Sequence, residues 1–550
     1  MSFTKTTKLG SASGPYAYSQ TEKGWQKRRG KNVLIHFCGK FHKTYFENLV
    51  NILSREESVD LSNLEKQIRI MPETSGIIIE GHNFIFAATN KIRTKPILFA
   101  QNNDRTYVST CPHYLTSHLP SEFCPESCAA VQMGGYTIGR KTIFKDFFQL
   151  CAGEYLYARK GQLHVSNYWR YCEQVPINIS EDQSLRELRT VTLGIFEELR
   201  DKLNGAPILV PLSAGYDSRL VISALKMLGT KNIRSFSYGY SDGFEVSIAR
   251  QLSGYLNVPW IHLQPHSGMK TEFLRSEEFN SYLNYIDTFS NAPFLQDIHH
   301  LWELQKTQGI EEGTFIINGN TGDFISGNHI PRNFNEQTVD KEVTAYIMRK
   351  HFKLWDNQAT PPSFRKVTEQ IKTELASYSK QSPFLKTKHA FIKYENFEFL
   401  HRQTKFLISG QQAYDFLGLN WALPLWHQNY VDFWTKIPLR LKLNQRLYKH
   451  FLQTENWMGV WKNMPVNAKN IRPKWIIGPR LFAKTMFAFS GKEPWHRFER
   501  KYFQYFMDLT GTYRRFNYSK ICLDNRGARN QLAFIAEEYL SNKGIPTNFN

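Results

Sequence analysis

Residues 206–229 read APILVPLSAGYDSRLVISALKMLG, and this stretch constrains the chain more than any other. Residues 206–212 form a short apolar run of strand type, and residues 219–228 are apolar at helical spacing, closed by Gly229. A strand that passes through a small-residue turn into a helix makes an anion site, because the turn amides and the helix N-terminus aim at one place. The turn supplies two hydroxyls, a flexible backbone and a carboxylate in Ser213, Gly215, Asp217 and Ser218. It has no Gly-Lys-Ser/Thr, so it is not the loop that grips a γ-phosphate with a lysine. Hydroxyls and amides can cradle a pyrophosphate while Asp217 holds Mg²⁺ across it, which suits ATP cleavage between the α and β phosphates.

Around this core the chain divides by pattern. Residues 1–30 are polar and rich in Gly, Ser and Lys, and read as a loose extension. Residues 31–175 are strand-rich, with NVLIHFCGKF, GIIIEGHNFIFAAT, PILFAQ, RTYVST and EYLYARKGQLHVSNYW separated by Gly, Asn and Asp. This reads as a β-dominated α+β unit. From about residue 176 long amphipathic helices alternate with short buried strands (APILVPL, IRSFSYGY, TFIING), the pattern of an α/β parallel sheet covered by helices. Beyond about residue 330 no strand signal competes with helix, so a helical C-terminal part is expected to run to residue 550.

Composition narrows the function classes. The 550 residues carry 69 Lys+Arg against 49 Asp+Glu, a net charge of +20, and much of the excess lies late, in residues 460–506. A basic, aromatic surface attracts phosphates and polyanions, so lipid-phosphate or peripheral membrane contact is one expectation for that region and a solvated face the other. No apolar run approaches the roughly 18 residues needed to span a bilayer, and residues 1–14 lack an export-type apolar segment, which points to the cytoplasm. Seven scattered cysteines fit reduced thiols better than a disulfide framework. The spacings among Cys111, His113, Cys124 and Cys128 fit no familiar zinc site.

With these residues in place, the chain resembles the PP-loop ATP pyrophosphatases, and the asparagine synthetase family in particular. The resemblance extends in order through three blocks between residues 207 and 330. In RSFSYGYSDGFEVSIAR, Ser237, Gly239, Glu245 and Ala249 match; in IINGNTGDFISGNH, Gly319, Asp323 and Gly327 match. The resemblance implies an adenine-nucleotide α-hydrolase-like fold with ATP held by Leu212, Ser213, Gly215, Asp217, Ser218, Ser237, Gly239 and Gly319. It implies Mg²⁺ on Asp217 and Asp323, and a late lysine on the leaving pyrophosphate, for which Lys474 and Lys469 are the candidates. Glu245, Asn318 and Asn320 fall at substrate positions. Asn318 stands where the family has serine, and Asn320 and Phe324 where it has glutamate, so the pocket for the reacting carboxylate is altered. Arg-Gln-x-Lys-Phe at residues 402–406, followed by Pro-Leu-Trp and Asp-Phe-Trp, looks most like the asparagine-synthetase-related proteins of bacterial surface-polysaccharide clusters.

The family's first domain is an N-terminal-nucleophile glutaminase, and residues 31–175 look like a degenerate copy. That chemistry needs a thiol and an α-amine on one terminal residue. Ser2 follows Met1 here, and Cys38 lies inside the chain. The resemblance therefore implies an AMP-forming carbon–nitrogen ligase without glutaminase activity, taking ammonia or an amine. Its carboxylate substrate is a small molecule or, on the altered pocket, a uronic-acid sugar. Asparagine synthase proper acting on aspartate, a tRNA-modifying PP-loop enzyme and a non-catalytic scaffold are the alternatives. The lack of a Cys-x-x-Cys pair and the glutaminase-like domain weigh against nucleic acid.

Overall fold

The computed structural model describes residues 19–20, 24–30, 32–54, 59–171, 175–357, 361–381, 385, 389–462, 464–466 and 470–546. The first part contains strands β1 (Ser19–Gln20), β2 (Gln26–Arg29), β3 (Val33–Cys38), β4 (Gly76–Gly81), β5 (Phe84–Thr89), β6 (Leu98–Asn102), β7 (Arg105–Ser109), β8 (Phe147–Gln149), β9 (Glu154–Arg159) and β10 (Gln162–Asn167). They form an antiparallel six-stranded sheet of order β10-β9-β5-β4-β3-β2 and a four-stranded sheet of order β1-β7-β6-β8.

Strand periodicity explains how these sheets stack. In β4, Ile77 and Ile79 face one side and Ile78 the other, and all three are fully buried. Ile78, Ile85, Ala87 and Leu156 pack against Phe99, Val108 and Leu150, joining the two sheets face to face. The opposite face of the larger sheet takes Leu49, Leu53, Leu64 and Ile68 from α1 (Lys43–Leu53) and α2 (Leu61–Arg69). The smaller sheet's outer face, with Leu98, Ala100 and Phe147, takes Tyr114, Leu115, Cys128 and Val131 from α3 (Pro112–His118) and α4 (Pro125–Gly134). The order is helix, sheet, sheet, helix.

Helix α5 (Glu181–Leu203) opens the second part, with the Ser180 hydroxyl accepting from the Gln183 amide at 3.2 Å and Asn204 in the left-handed conformation closing it. After it come β11 (Ile208–Pro211), α6 (Tyr216–Met227), β12 (Ile233–Tyr238), α7 (Phe244–Tyr255), β13 (Trp260–Leu263), β14 (Phe315–Ile317) and β15 (Asn420–Ala422). These five strands make one sheet of order β13-β12-β11-β14-β15, with every pair parallel.

Three strands depart from expectation. β15 lies in the region read as helical; three residues are too few to give a period-2 signal, and its pairing with β14 is what makes it a strand. β1 and β2 lie in the stretch read as a loose extension. β1 is two residues paired in parallel with β7, and the β2 sequence Gln-Lys-Arg-Arg is that of an exposed edge strand, where charge is tolerated, so that only its pairing with β3 reveals it.

The two parts share one core: side chains of α1, β4 and β11 belong to a single cluster. The C-terminal helix Gln531–Ser541 returns to the first part, packing Ala533, Phe534 and Leu540 beside Cys128 and Val131 of α4. Residues 402–406 fall in a π-helical stretch, Phe399–Leu407, rather than a regular α-helix. From it the Lys405 ammonium donates to the carbonyls of Thr137 and Gly139 at 2.8 and 2.7 Å, and the Gly139 amide donates to His401 Nε2 at 2.9 Å.

Candidate active site

A parallel sheet binds ligands where the strand order reverses, outside the carboxyl ends of the two strands involved. Here β11 is followed by β12 and β13 on one side, and by β14 and β15 on the other, so the crevice lies beyond Pro211 and Ile317. Those ends carry the two stretches singled out in the sequence, residues 212–218 and 318–323.

The first turn is built by its own hydroxyls. Ser213 and Ser218 hydroxyls meet at 2.9 Å; the Ser213 amide donates to Ser218 Oγ at 3.1 Å, and the Gly215 amide to Ser213 Oγ at 3.2 Å. The Ala214 amide donates to Glu245 at 2.7 Å. Glu245, in the first turn of α7, thus fastens the loop. The Leu212 amide donates to the Phe236 carbonyl at 2.8 Å, and the Ser237 hydroxyl to the Leu212 carbonyl at 2.7 Å, so Leu212 and Ser237 tie β11 to β12. Gly239 has φ +134°, open to glycine alone at no strain, and its carbonyl accepts from His262 at 2.8 Å.

The second turn lies directly on the first. A Cβ on Gly319 would stand 2.8 Å from the Asp217 carbonyl carbon and the Ser218 nitrogen, so only glycine allows this approach. The Asp323 amide donates to Asp217 Oδ2 at 2.8 Å, and the Tyr448 hydroxyl to Asp217 Oδ1 at 2.9 Å. Asp323 Oδ1 accepts from the Thr321 hydroxyl and the Phe324 amide, both at 2.7 Å, and Oδ2 lies 3.0 Å from His329 Nε2.

The two carboxylates are driven apart electrically. Loss of surrounding water, and then the negative charge of Asp323, push the Asp217 carboxyl up to about 8. Burial would raise Asp323 as well, but the hydrogen bond and charge of His329 hold it down at about 2. His329 is itself held up at about 9: burial pulls it down, and the carboxylates of Glu398 and Asp323 more than compensate. Glu398 also takes the Tyr394 hydroxyl and the Gln403 amide.

This donor set suits a hard cation. A carboxylate offers about four lone-pair directions. Asp217 uses two and Asp323 three, so oxygens on facing turns remain available beside a cradle for phosphate, the setting in which Mg²⁺ is held by one or two carboxylates plus substrate phosphates. No group of three or more metal-ligating side chains occurs among the described residues, so phosphate oxygens would have to complete the shell.

Other predicted residues fall nearby in differing roles. Asn318 donates to the Tyr414 hydroxyl at 2.9 Å, which donates to Asp297 at 2.8 Å, and the Asn318 side-chain oxygen accepts the Asn320 amide at 2.9 Å. Phe324 is buried against Tyr171, His329 and Trp426. Lys474 is 72% exposed, its ammonium 3.3 Å from Asp242 in the turn after β12. Arg472 pairs with the same carboxylate at 2.8 Å. Lys469 lies outside the described residues.

Sequence reasoning passed over Arg219. Its side chain is fully buried and donates to the carbonyls of Val460, Met464 and Pro465 at 3.2, 3.0 and 2.9 Å, and to Ala214 at 3.4 Å. It straps Val460, Met464 and Pro465 to the turn, and burial lowers its guanidinium to about 10. His329 and Tyr448 were passed over too: His329 closes the stretch IINGNTGDFISGNH but is not one of its matched positions, and Tyr448 stands in no local motif.

Residues 202–454 match the asparagine synthase family model. That match supports the asparagine synthetase family for this stretch, and it spans β11 to β15 with both turns of the crevice. A search of curated proteins finds no match. Among solved structures, the chain is similar to glutamine phosphoribosylpyrophosphate (PRPP) amidotransferase from B. subtilis complexed with ADP and GMP, at 10% identity, over 54% of this chain and 58% of that chain, with a TM-score of 0.16. The chain therefore spans under two thirds of that protein, and a score so low adds nothing about the fold. The asparagine synthase stretch stops 96 residues short of Asn550, leaving Lys474 and the basic helices beyond it outside the match.

Proposed function

We propose that this protein is an ATP-dependent carbon–nitrogen ligase of asparagine synthase type that releases AMP and pyrophosphate. The observation that carries the reading is the pair Asp217 and Asp323, fixed on touching turns at the sheet's switch point beside a lysine-free cradle of hydroxyls and amides. A substrate carboxylate oxygen attacks the α-phosphorus of ATP, the bond to the β-phosphate oxygen breaks, and pyrophosphate departs. An amine nitrogen then attacks the acyl carbon, AMP leaves with the bonding electrons, and the nitrogen gives up a proton. The Ser213 and Ser218 hydroxyls, and the amides of residues 213–215 once released from their partners in the turn, bind the pyrophosphate, and Asp217 and Asp323 would hold Mg²⁺, which would supply neutralisation of the phosphate charge. Lys474 is proposed to leave Asp242 and meet the departing anion.

The substrate is proposed to be a uronic-acid sugar amidated or joined to an amino acid during surface-polysaccharide assembly. The support is the altered pocket: Asn320 and Phe324 stand where the family has glutamate, removing negative charge, and Asn318, where the family has serine, is committed to the Tyr414–Asp297 chain. The nitrogen is proposed to come from ammonia or an amine, since Cys38 is the last residue of β3, with no α-amine of its own, and burial, its largest influence, raises its thiol pKa.

The test is pyrophosphate release by the purified chain with ATP and Mg²⁺ over a panel of aspartate, free uronic acids and nucleotide-linked uronic acids, with ammonia or amino acids as nucleophile. Stimulation by uronic acids supports the reading. Stimulation by aspartate alone would make the enzyme an asparagine synthase proper.

A further inference from the structure

Beyond the matched stretch, residues 470–503 hold eight Lys and Arg against two Glu. They fold as two helices, Ile477–Thr485 and Lys492–Tyr502, joined by a short turn. The pair is held internally: Trp495 is buried against Phe487 and Phe498, and the Arg480 guanidinium lies over the Trp495 ring and pairs with Glu499 at 2.5 Å. On this braced hairpin the outward positions are apolar. Phe482 is 74% exposed, Met486 71%, and Phe489, at the turn, fully exposed, with Leu481 beside them. Single exposed apolar residues are ordinary, but four on one tip form a patch that calls for a partner. Lys484 and Lys492 flank the tip and make no ion pair among the described residues.

Charge decides the occupant. A second copy of the chain would bring an identical cationic rim against this one, and like charges would oppose the contact. An anionic lipid surface offers both things the tip lacks, phosphates for the lysines and an apolar boundary for the rings. We propose that this hairpin docks on anionic lipid bilayers, with Phe482, Met486 and Phe489 entering the headgroup–acyl boundary and Lys484 and Lys492 on lipid phosphates. This contact is separate from the ligase reading and survives its failure.

The experiment is co-sedimentation of the full chain with vesicles of phosphatidylcholine alone and of 3:1 phosphatidylcholine:phosphatidylglycerol, at low and at 0.5 M salt. Binding is expected to be at least tenfold tighter to the anionic vesicles and to weaken with salt. The double variant Phe482→Ser/Phe489→Ser should lose at least tenfold at either salt, and Lys484→Glu/Lys492→Glu should lose the preference for anionic lipid. Both should keep the wild-type unfolding midpoint and rate of pyrophosphate release, because neither pair touches the crevice or the hairpin's inner face. Equal binding to both vesicle types, or wild-type binding by the variants, overturns the proposal. Absence of vesicle binding with self-association that the Phe variant abolishes would give the patch to a second copy and equally overturns it.

Discussion

The backbone amide of Asp323 donates to Oδ2 of Asp217 at 2.8 Å, joining turns 106 residues apart in sequence. Asparagine at 217 keeps a carbonyl oxygen for that donor and an amide that the Tyr448 hydroxyl can accept, so the geometry survives while the charge is lost. Asp217→Asn is expected to reduce turnover by at least about a hundredfold with an unchanged or slightly raised unfolding midpoint, and Asp323→Asn to do likewise in rate. Steady-state pyrophosphate release beside thermal denaturation checks both; normal rates in both variants would place the metal elsewhere.

The first turn was legible because everything that forms it is local: an apolar strand, small residues and a helix-period run lie within residues 206–229. Most N-terminal strands were equally readable from short apolar runs. What closes the site was not. Arg219 meets acceptors 241 to 246 residues away, Tyr448 reaches Asp217 across 231 residues, and no local pattern encodes either contact. β15 was missed because three residues carry no periodicity, and the π-helical form of Phe399–Leu407 because its Arg-Gln-x-Lys-Phe wording has no distinguishing spacing. The pairing of Asn318 with Tyr414, and Phe324 as a core residue, likewise depend on neighbours the sequence does not bring together.

Arg219→Met should loosen the hold on Val460, Met464 and Pro465. It fills much of the same volume but leaves the carbonyls of Val460, Met464 and Pro465 without their donor, at about 1–3 kcal/mol for buried unsatisfied groups. The expected result is a lower urea midpoint and a raised KM for ATP, with kcat less affected. Denaturation and nucleotide titration check it; an unchanged midpoint would mean the strap is held otherwise.

Acid should destabilise the protein through His299 and His300. Burial holds His299 down at about 3 and His300 well below its ordinary value, while both donate to the Thr510 carbonyl, at 2.6 and 3.0 Å. In the unfolded chain each takes up a proton near 6.5, so the unfolded state binds more protons below that pH. Stability present above pH 6.5 is therefore lost as pH falls from 6.5 toward 3. His299→Gln is expected to make the unfolding midpoint less steeply pH-dependent in that window, read by circular dichroism melts; an unaltered slope would show that other groups set it.

Glutamine is expected to leave the rate of amide formation unchanged, whereas ammonia should drive it increasingly as pH rises and ammonium deprotonates. Cys38→Ser should not alter the ammonia-driven rate, because a thiol at the end of β3, within the chain, has no α-amine to act as its base. Glutamate release from glutamine, measured directly and abolished by Cys38→Ser, would contradict this.

The measurement that bears most directly on the account is the identity of the nucleotide product. Turnover with ATP labelled at the α-phosphorus, separated by chromatography, should convert the label to AMP in step with pyrophosphate, because the turn between β11 and α6 presents hydroxyls and a carboxylate and no lysine for a γ-phosphate. Label recovered stoichiometrically in ADP would contradict it.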